Sequence, residues 1–249
     1  MDKIYTKKFQ VHTYEVDFRG KALPISLLNY LQDAAGDHTV LLDVSVPELL
    51  KSNLTWLLSR YHVKIFKYPV MNDLIFVSTW PSGKQGIFAL RDFEIADERG
   101  ERLLAATSSW VLWNIKTRQA MRLEDHLSDR VALDRRALAD DFLPLPPCHT
   151  AARELSFRVE MQDIDFNNHV NHAVYIQWAL ETVPEDILRT CQPVDIEAAY
   201  RAEAFYGNEI VSKIQRVEAE SGPVFAHGIF HRTSGAELTR LRTAWARYA

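Results

Sequence analysis

The densest group of chemically active side chains in this sequence lies between Asp165 and Tyr175. The segment reads Asp-Phe-Asn-Asn-His-Val-Asn-His-Ala-Val-Tyr, and it contains one carboxylate, three carboxamides and two imidazoles. Such groups can hold a proton, activate a water molecule or donate a hydrogen bond to a carbonyl oxygen. Because an apolar run with helical spacing follows directly, the pattern predicts that these groups gather at the start of a helix.

Each of these residues also has a purely structural interpretation. Asp165, Asn167 and Asn168 are residue types typical of turns and helix N-caps. His169 and His172 are three residues apart, a spacing that could support a metal ion, but the sequence has no His-Glu-x-x-His motif and no cluster of cysteines. It also has no glycine-rich nucleotide-binding motif. We therefore predict no metal centre and no cofactor.

A helix followed by several strands must position these groups, and this pattern occurs twice. Apolar spacing and β-branched runs predict, in the first half, a helix over 25–35 and strands over 56–65, 74–80, 87–96 and 103–115. In the second half they predict a helix over 174–180 and strands over 196–205, 210–217, 224–231 and 238–248. The two helices share a similar phrase, Tyr30-Leu-Gln and Tyr175-Ile-Gln. We interpret this as an internal duplication of an α+β unit, in which an antiparallel sheet is wrapped around a central helix.

A break in the pattern separates the two halves at residues 134–150. The segment begins with charged residues and ends in Leu-Pro-Leu-Pro-Pro, over residues 143–147. Prolines cannot lie inside a helix or a central strand, so this segment is predicted to be a linker. The predicted domains are therefore 1–133 and 151–249, each of a size that can hold one core.

Composition narrows the classes of protein that this chain can be. Hydrophobic residues make up 47% and charged residues 25%, as in a globular protein with a large core. The net charge of −4 argues against a nucleic-acid partner. The sequence contains no apolar run of membrane-spanning length, and its start at Met1-Asp2-Lys3 does not have the pattern of a secretory signal. Cys148 and Cys191 have the spacing of free thiols, so we expect a cytoplasmic protein with no membrane partner.

The segment 163–184 resembles the signature of the acyl-acyl carrier protein (acyl-ACP) thioesterases, which hydrolyse acyl-ACP and thereby end fatty-acid synthesis. Similar phrases in the first half extend the resemblance to nearly the whole chain: Tyr14-Glu-Val, Leu28-Asn-Tyr-Leu-Gln, Trp56-Leu-Leu-Ser-Arg and Ser108-Ser-Trp-Val-Leu. The resemblance implies two tandem hot-dog domains, with an acyl pocket shaped by the first and catalysis in the second. It also implies an acyl carrier protein with a bound fatty acyl chain as the partner, and a bacterial form of the enzyme. The oligomeric state is left open between a monomer and a homodimer.

The catalytic positions of that family match four residues of this chain. Its Asp-x-Asn-x-His motif falls on Asp165, Asn167 and His169, and its later glutamate falls on Glu203. We expect Glu203 to be the base on a strand that faces an apolar pocket, where burial would raise the pKa of the carboxyl group. Asn167 would donate its amide to the thioester carbonyl, while His169 would position water or protonate the leaving thiolate. Asp165 would orient its neighbours or help to cap the helix.

The sequence departs from the plant pattern directly after this glutamate. Ala204 stands where the plant family has a cysteine, so a cysteine nucleophile is impossible at this position and attack by water is expected. Two alternatives stay open: an acyl-CoA thioesterase, and a non-catalytic acyl-binding regulatory protein with the same fold. Basic residues that could meet an acidic carrier protein are Lys7, Lys8, Lys64, Lys67, Arg135 and Arg136.

Overall fold

The computed structural model describes residues 3–126, 132–148 and 150–248. Met1 and Asp2 of the predicted start lie outside the described residues, as do 127–131 of the first predicted domain, residue 149 of the predicted linker, and Ala249. The chain divides into two compact units, Met1–Asp141 and Phe142–Ala249. In the part of the chain that the structure describes, no helix has the length and apolar character needed to cross a membrane.

The first unit packs one long helix against an antiparallel sheet. Its strands are hydrogen-bonded in the order β1-β3-β4-β5-β2, with the short strand β6 paired to β5. Helix α1 contacts β1 and β3 and buries Leu27, Leu28 and Leu31. The elements are β1 (Tyr5–Gln10), α1 (Pro24–Leu41), α2 (Val46–Leu50), β2 (Leu54–Ile65), β3 (Leu74–Gln85), β4 (Phe88–Asp97), β5 (Arg102–Asn114) and β6 (Gln119–Ala120).

The second unit repeats this architecture. Its strands follow the order β7-β9-β10-β11-β8, so β7 to β11 take the same places in this sheet as β1 to β5 take in the first. Helix α3 contacts β9, β10 and β11 and buries Ala173, Val174 and Ile176. The elements are β7 (Arg153–Arg158), α3 (His172–Glu181), α4 (Glu185–Thr190), β8 (Cys191–Tyr200), β9 (Glu209–Val217), β10 (Val224–His231) and β11 (Glu237–Arg247). The predicted α+β class, with an antiparallel sheet around a central helix, is therefore confirmed.

Several predicted boundaries were wrong, among them the end of strand β3, which runs to Gln85 and not to residue 80. Helix α1 continues to Leu41 instead of ending at Ala35, because Gly36 keeps helical geometry within it. The predicted strand over 196–205 ends at Tyr200, where the pairing with β11 ends at Thr239. Glu203 therefore lies in the loop between β8 and β9 and not on a strand.

Helix α3 is capped by a residue that the sequence analysis did not single out. The side chain of Asn171 accepts the N–H of Ala173 through Oδ1 at 3.0 Å. Asn171 is the N-cap, so the expectation that Asp165 helps to cap this helix was wrong. Asp165 lies six positions earlier and accepts a hydrogen bond within its own turn.

Replacement of Asn171 by Ala is expected to lower the free energy of unfolding by about 1 kcal/mol, because a helix N–H loses its acceptor. Urea denaturation of the purified protein measures this change. The matched control is Asn171→Ser, which keeps a capping oxygen and should stay close to the wild type. An equal loss of stability in both variants would contradict the capping role.

Candidate active site

The turn between β7 and α3 carries three of the four predicted site residues. The carboxylate of Asp165 accepts the backbone N–H of Asn167 at 2.8 Å, and the backbone N–H of Asp165 donates to the carbonyl of His169 at 2.8 Å. Asn168 has a φ of 63°, in the left-handed region that asparagine tolerates better than most residues. This local geometry closes the turn and brings Asp165 next to His169.

The fourth predicted residue reaches the turn from a different loop. Oε1 of Glu203 lies 3.2 Å from Nδ1 of His169. The Glu203 side chain is 42% exposed and that of His169 is 28% exposed, so solvent reaches the pair. The expected burial of Glu203 against an apolar pocket was therefore wrong. A carboxylate beside one ring nitrogen favours a proton on that nitrogen, which leaves Nε2 as a proton acceptor.

Asp165 occupies the more buried position of the two carboxylates. Burial raises the pKa of Asp165 above its ordinary value. Backbone N–H groups of Asn167 and His169, together with the side-chain amide of Asn167, donate to this carboxylate and oppose the rise. The amide of Asn167 is consequently oriented by Asp165.

Asp165→Asn is expected to change how stability depends on pH. The pKa of Asp165 is raised in the folded protein, so between the unfolded and the folded pKa the folded protein keeps a proton that the unfolded chain has released. The contribution of Asp165 to stability therefore falls as the pH rises through this interval. The variant does not titrate there. Its melting temperature minus that of the wild type should therefore increase from about pH 4 to pH 7.

Melting curves recorded at several pH values test this expectation. The control Asp186→Asn removes an exposed carboxylate from the same unit, and its difference from the wild type should change less with pH. A constant difference for Asp165→Asn across the range would show that burial of this carboxyl group costs no stability.

One residue of the site was missed by the sequence analysis, which named Tyr175 only for the phrase that it shares with Tyr30. The phenolic oxygen of Tyr175 accepts the backbone N–H of Ala204 at 2.9 Å. Ala204 is fully buried, so the side chain that replaces the plant cysteine points into the interior. A hydroxyl group on the apolar face of the helix was the one signal in the sequence that could have marked Tyr175.

The first unit contains the same turn with different side chains. Asp17 accepts the N–H of Arg19 at 2.8 Å and donates its own N–H to the carbonyl of Lys21 at 2.8 Å, as Asp165 does with Asn167 and His169. The equivalent turn thus carries a guanidinium and an ammonium group where the second unit has a carboxamide and an imidazole. That the first unit has no catalytic role stays a prediction.

This equivalence also fixes how the two helices correspond. Counting from the matched aspartates, Tyr175 corresponds to Leu27 and not to Tyr30. The shared Tyr-x-Gln phrase is therefore not structurally equivalent in the two units. The helices correspond through their turns, whose hydrogen bonds set where each helix starts.

The fold is that of a hot-dog protein, with a central helix against an antiparallel sheet in each unit. In the second unit an imidazole, a carboxylate and a carboxamide lie beside the start of the helix. The model of the acyl-ACP thioesterase N-terminal domain matches residues 2–131, and that of the C-terminal domain matches residues 148–247. The chain belongs to the acyl-ACP thioesterase family.

Individual relatives agree with this assignment. An oleoyl-acyl carrier protein thioesterase of Arabidopsis thaliana chloroplasts is 29% identical, over 97% of this chain and 76% of the relative. An acyl-[acyl-carrier-protein] hydrolase of Cuphea viscosissima is 30% identical, over 97% of this chain and 62% of the relative. The solved structure of a 12:0-ACP thioesterase from Umbellularia californica has a TM-score of 0.86 and 26% identity, and the match covers 98% of this chain and 94% of that one. The present chain is thus shorter than the curated plant relatives.

Proposed function

We propose that this chain hydrolyses the thioester of fatty acyl-ACP, releasing a free fatty acid and the carrier protein and so ending chain elongation. Membership of the acyl-ACP thioesterase family supports the reaction and its substrate class. The observation that carries the chemistry is the 3.2 Å approach of His169 Nδ1 to Glu203 Oε1. This pair supplies both a proton acceptor and a charge that stabilises the protonated ring.

In this mechanism His169 is the base, whereas the sequence-based assignment made Glu203 the base. Nε2 of His169 takes a proton from water while Glu203 holds the Nδ1 proton and stabilises the imidazolium. The water oxygen bonds to the carbonyl carbon and the carbon–sulfur bond breaks. The imidazolium then returns its proton to the leaving thiolate, which yields the thiol of the carrier and the fatty acid.

Asn167 stabilises the charge that develops on the carbonyl oxygen. Its amide is oriented by Asp165, so donation to the oxyanion requires no large reorganisation of this side chain. Asp165 thus acts through Asn167 and does not exchange a proton with the substrate. This role agrees with the orienting function expected for Asp165.

Ion pairs within the first unit weaken one expectation about the carrier protein. Several basic residues that could have met it are neutralised locally: Lys7 by Asp33 and Asp37, Lys67 by Glu101, Arg135 by Glu94 and Arg136 by Asp92. Compensated charges attract an acidic partner less strongly than free ones. A carrier contact through these residues is therefore not part of the proposal, while the cytoplasmic location and the oligomeric state stay predictions.

A thiol-release assay tests the proposed function. Acyl-ACP substrates of increasing chain length are compared with the matching acyl-CoA substrates, and release from acyl-ACP should be faster. Faster release from acyl-CoA would replace the proposal with an acyl-CoA thioesterase. Acyl-ACP that is bound but stays intact would indicate a regulatory acyl-binding protein instead.

A further inference from the structure

We propose that Tyr175 is a positioning residue of the thioesterase site, which fixes the peptide that follows Glu203 and so holds Glu203 against His169. The inference rests on the proposed function, because it assigns a role within the same site. Tyr175 itself is not expected to touch the substrate. It acts through the backbone of Ala204.

Both polar groups of Ala204 are held by the elements that carry the other site residues. Its N–H donates to the phenolic oxygen of Tyr175 on helix α3 at 2.9 Å. Its carbonyl accepts the N–H of Val170, from the motif turn, at 3.1 Å. The loop is therefore fastened to the helix on one side and to the turn on the other.

The register of these contacts places the catalytic side chains opposite each other. Glu203 immediately precedes Ala204, and His169 immediately precedes Val170. The backbone hydrogen bond between Val170 and Ala204 thus places His169 and Glu203, the residues that precede them, next to each other. If the loop lost its attachment to Tyr175, the separation of the carboxylate from the imidazole would no longer be fixed at 3.2 Å.

The attachment is shielded from water. Tyr175 is 3% exposed and Ala204 is fully buried, so loss of the phenolic oxygen would leave a buried N–H without an acceptor. The ring of Tyr175 is held by edge-on contacts with Trp178 at 5.4 Å and Tyr200 at 6.0 Å between centroids. Burial, together with the nearby charges of Glu203 and Asp165, raises the pKa of Tyr175, so the phenol stays neutral beside them.

The first unit provides an internal comparison. There the N–H of Ala22 donates to the carbonyl of Pro69, the counterpart of the bond from Val170 to Ala204. Pro69 has no N–H to donate, and the helix position that corresponds to Tyr175 is Leu27, which has no hydroxyl group. The first unit therefore has neither the backbone N–H nor the hydroxyl group that would form the equivalent hydrogen bond at these positions. Its turn also carries no imidazole.

Tyr175→Phe in the full chain tests the proposal, because it removes only the phenolic oxygen. We expect kcat on acyl-ACP to fall about 10- to 100-fold, since small displacements of catalytic groups have effects of this size, while KM stays within about twofold. The matched control is Tyr248→Phe, which removes a phenol that donates to the carbonyl of Leu188 at 3.3 Å in the same unit. It should leave kcat unchanged.

Two further measurements separate positioning from general loss of structure. In a Glu203→Gln background, Tyr175→Phe should cause little additional loss, because the residue that it positions is already disabled. The imidazole NMR signals of His169 should shift in Tyr175→Phe but not in Tyr248→Phe, and this readout does not need activity. Additive losses in the double variant, or unchanged His169 signals, would overturn the proposal even if the variant is less stable.

Failure of this inference is distinguishable from failure of the proposed function. If Glu203→Gln is inactive while Tyr175→Phe has the wild-type kcat, the positioning role is wrong and the hydrolase assignment stands. If the wild type releases no thiol from any acyl-ACP, the hydrolase assignment fails. The His169 signals then decide alone whether Tyr175 holds the loop.

Discussion

Replacing Glu203 by Gln is expected to lower kcat/KM for acyl-ACP about 10²- to 10⁴-fold, the range that general acid–base catalysis contributes, because His169 depends on Glu203 for its proton transfer. The amide keeps the shape of the side chain but has no negative charge. Its oxygen therefore accepts the Nδ1 proton of His169 more weakly than the carboxylate does, and it supplies no charge to stabilise the imidazolium that forms when water is activated. Because the Glu203 side chain is 42% exposed, the substitution creates no buried cavity, and the melting temperature should change little.

Initial rates of thiol release measure this effect, with Glu209→Gln as the matched control. Glu209 is 63% exposed and pairs with Arg232 at 3.5 Å, so its replacement removes a carboxylate of the same unit outside the site. The double variant Glu203→Gln/His169→Gln should lose little more activity than the less active of the two single variants, because the two residues act as one unit. A wild-type rate for Glu203→Gln would exclude the pair from the mechanism.

Asn167→Ala is expected to lower kcat about 10²- to 10³-fold, as does loss of one oxyanion donor in other acyl-transfer enzymes. The amide contacts the carbonyl oxygen most strongly when that oxygen carries negative charge. The loss should therefore appear in kcat and kcat/KM together, with KM nearly constant. Steady-state kinetics on one acyl-ACP substrate separate these parameters.

The adjacent residue offers the control for Asn167. Asn168→Gly removes a neighbouring carboxamide, and its φ of 63° suits glycine, so the turn should persist. Its kcat should stay close to the wild type. If Asn167→Ala raised KM at constant kcat, its amide would bind ground state and transition state equally and would not be an oxyanion donor.

The sequence predicted those features that depend on local pattern. Alternation of apolar residues located most strands, and strand β10 was predicted with the bounds that the structure has, Val224–His231. The dense polar segment located the turn that holds Asp165, Asn167 and His169. These features follow from side-chain periodicity and turn chemistry, which neighbouring residues determine.

Features that depend on distant partners could not be predicted. The end of β8 is set by where pairing with β11 stops, so periodicity alone extended the strand and placed Glu203 on it. The role of Tyr175 depends on a backbone N–H twenty-nine positions later, and an aromatic residue on an apolar helix face is ordinarily core. The contact between His169 and Glu203 is likewise a property of two loops and not of either segment.

The paired turns have a consequence for how this molecule can change. Since Asp17 and Asp165 build the same backbone, the shape of the turn does not require the residues that perform chemistry. The side chains of one turn can therefore change while its backbone keeps the same hydrogen bonds. The positions of Arg19 and Lys21, whose side chains the backbone of the turn does not require, are therefore natural sites for engineering new chemistry.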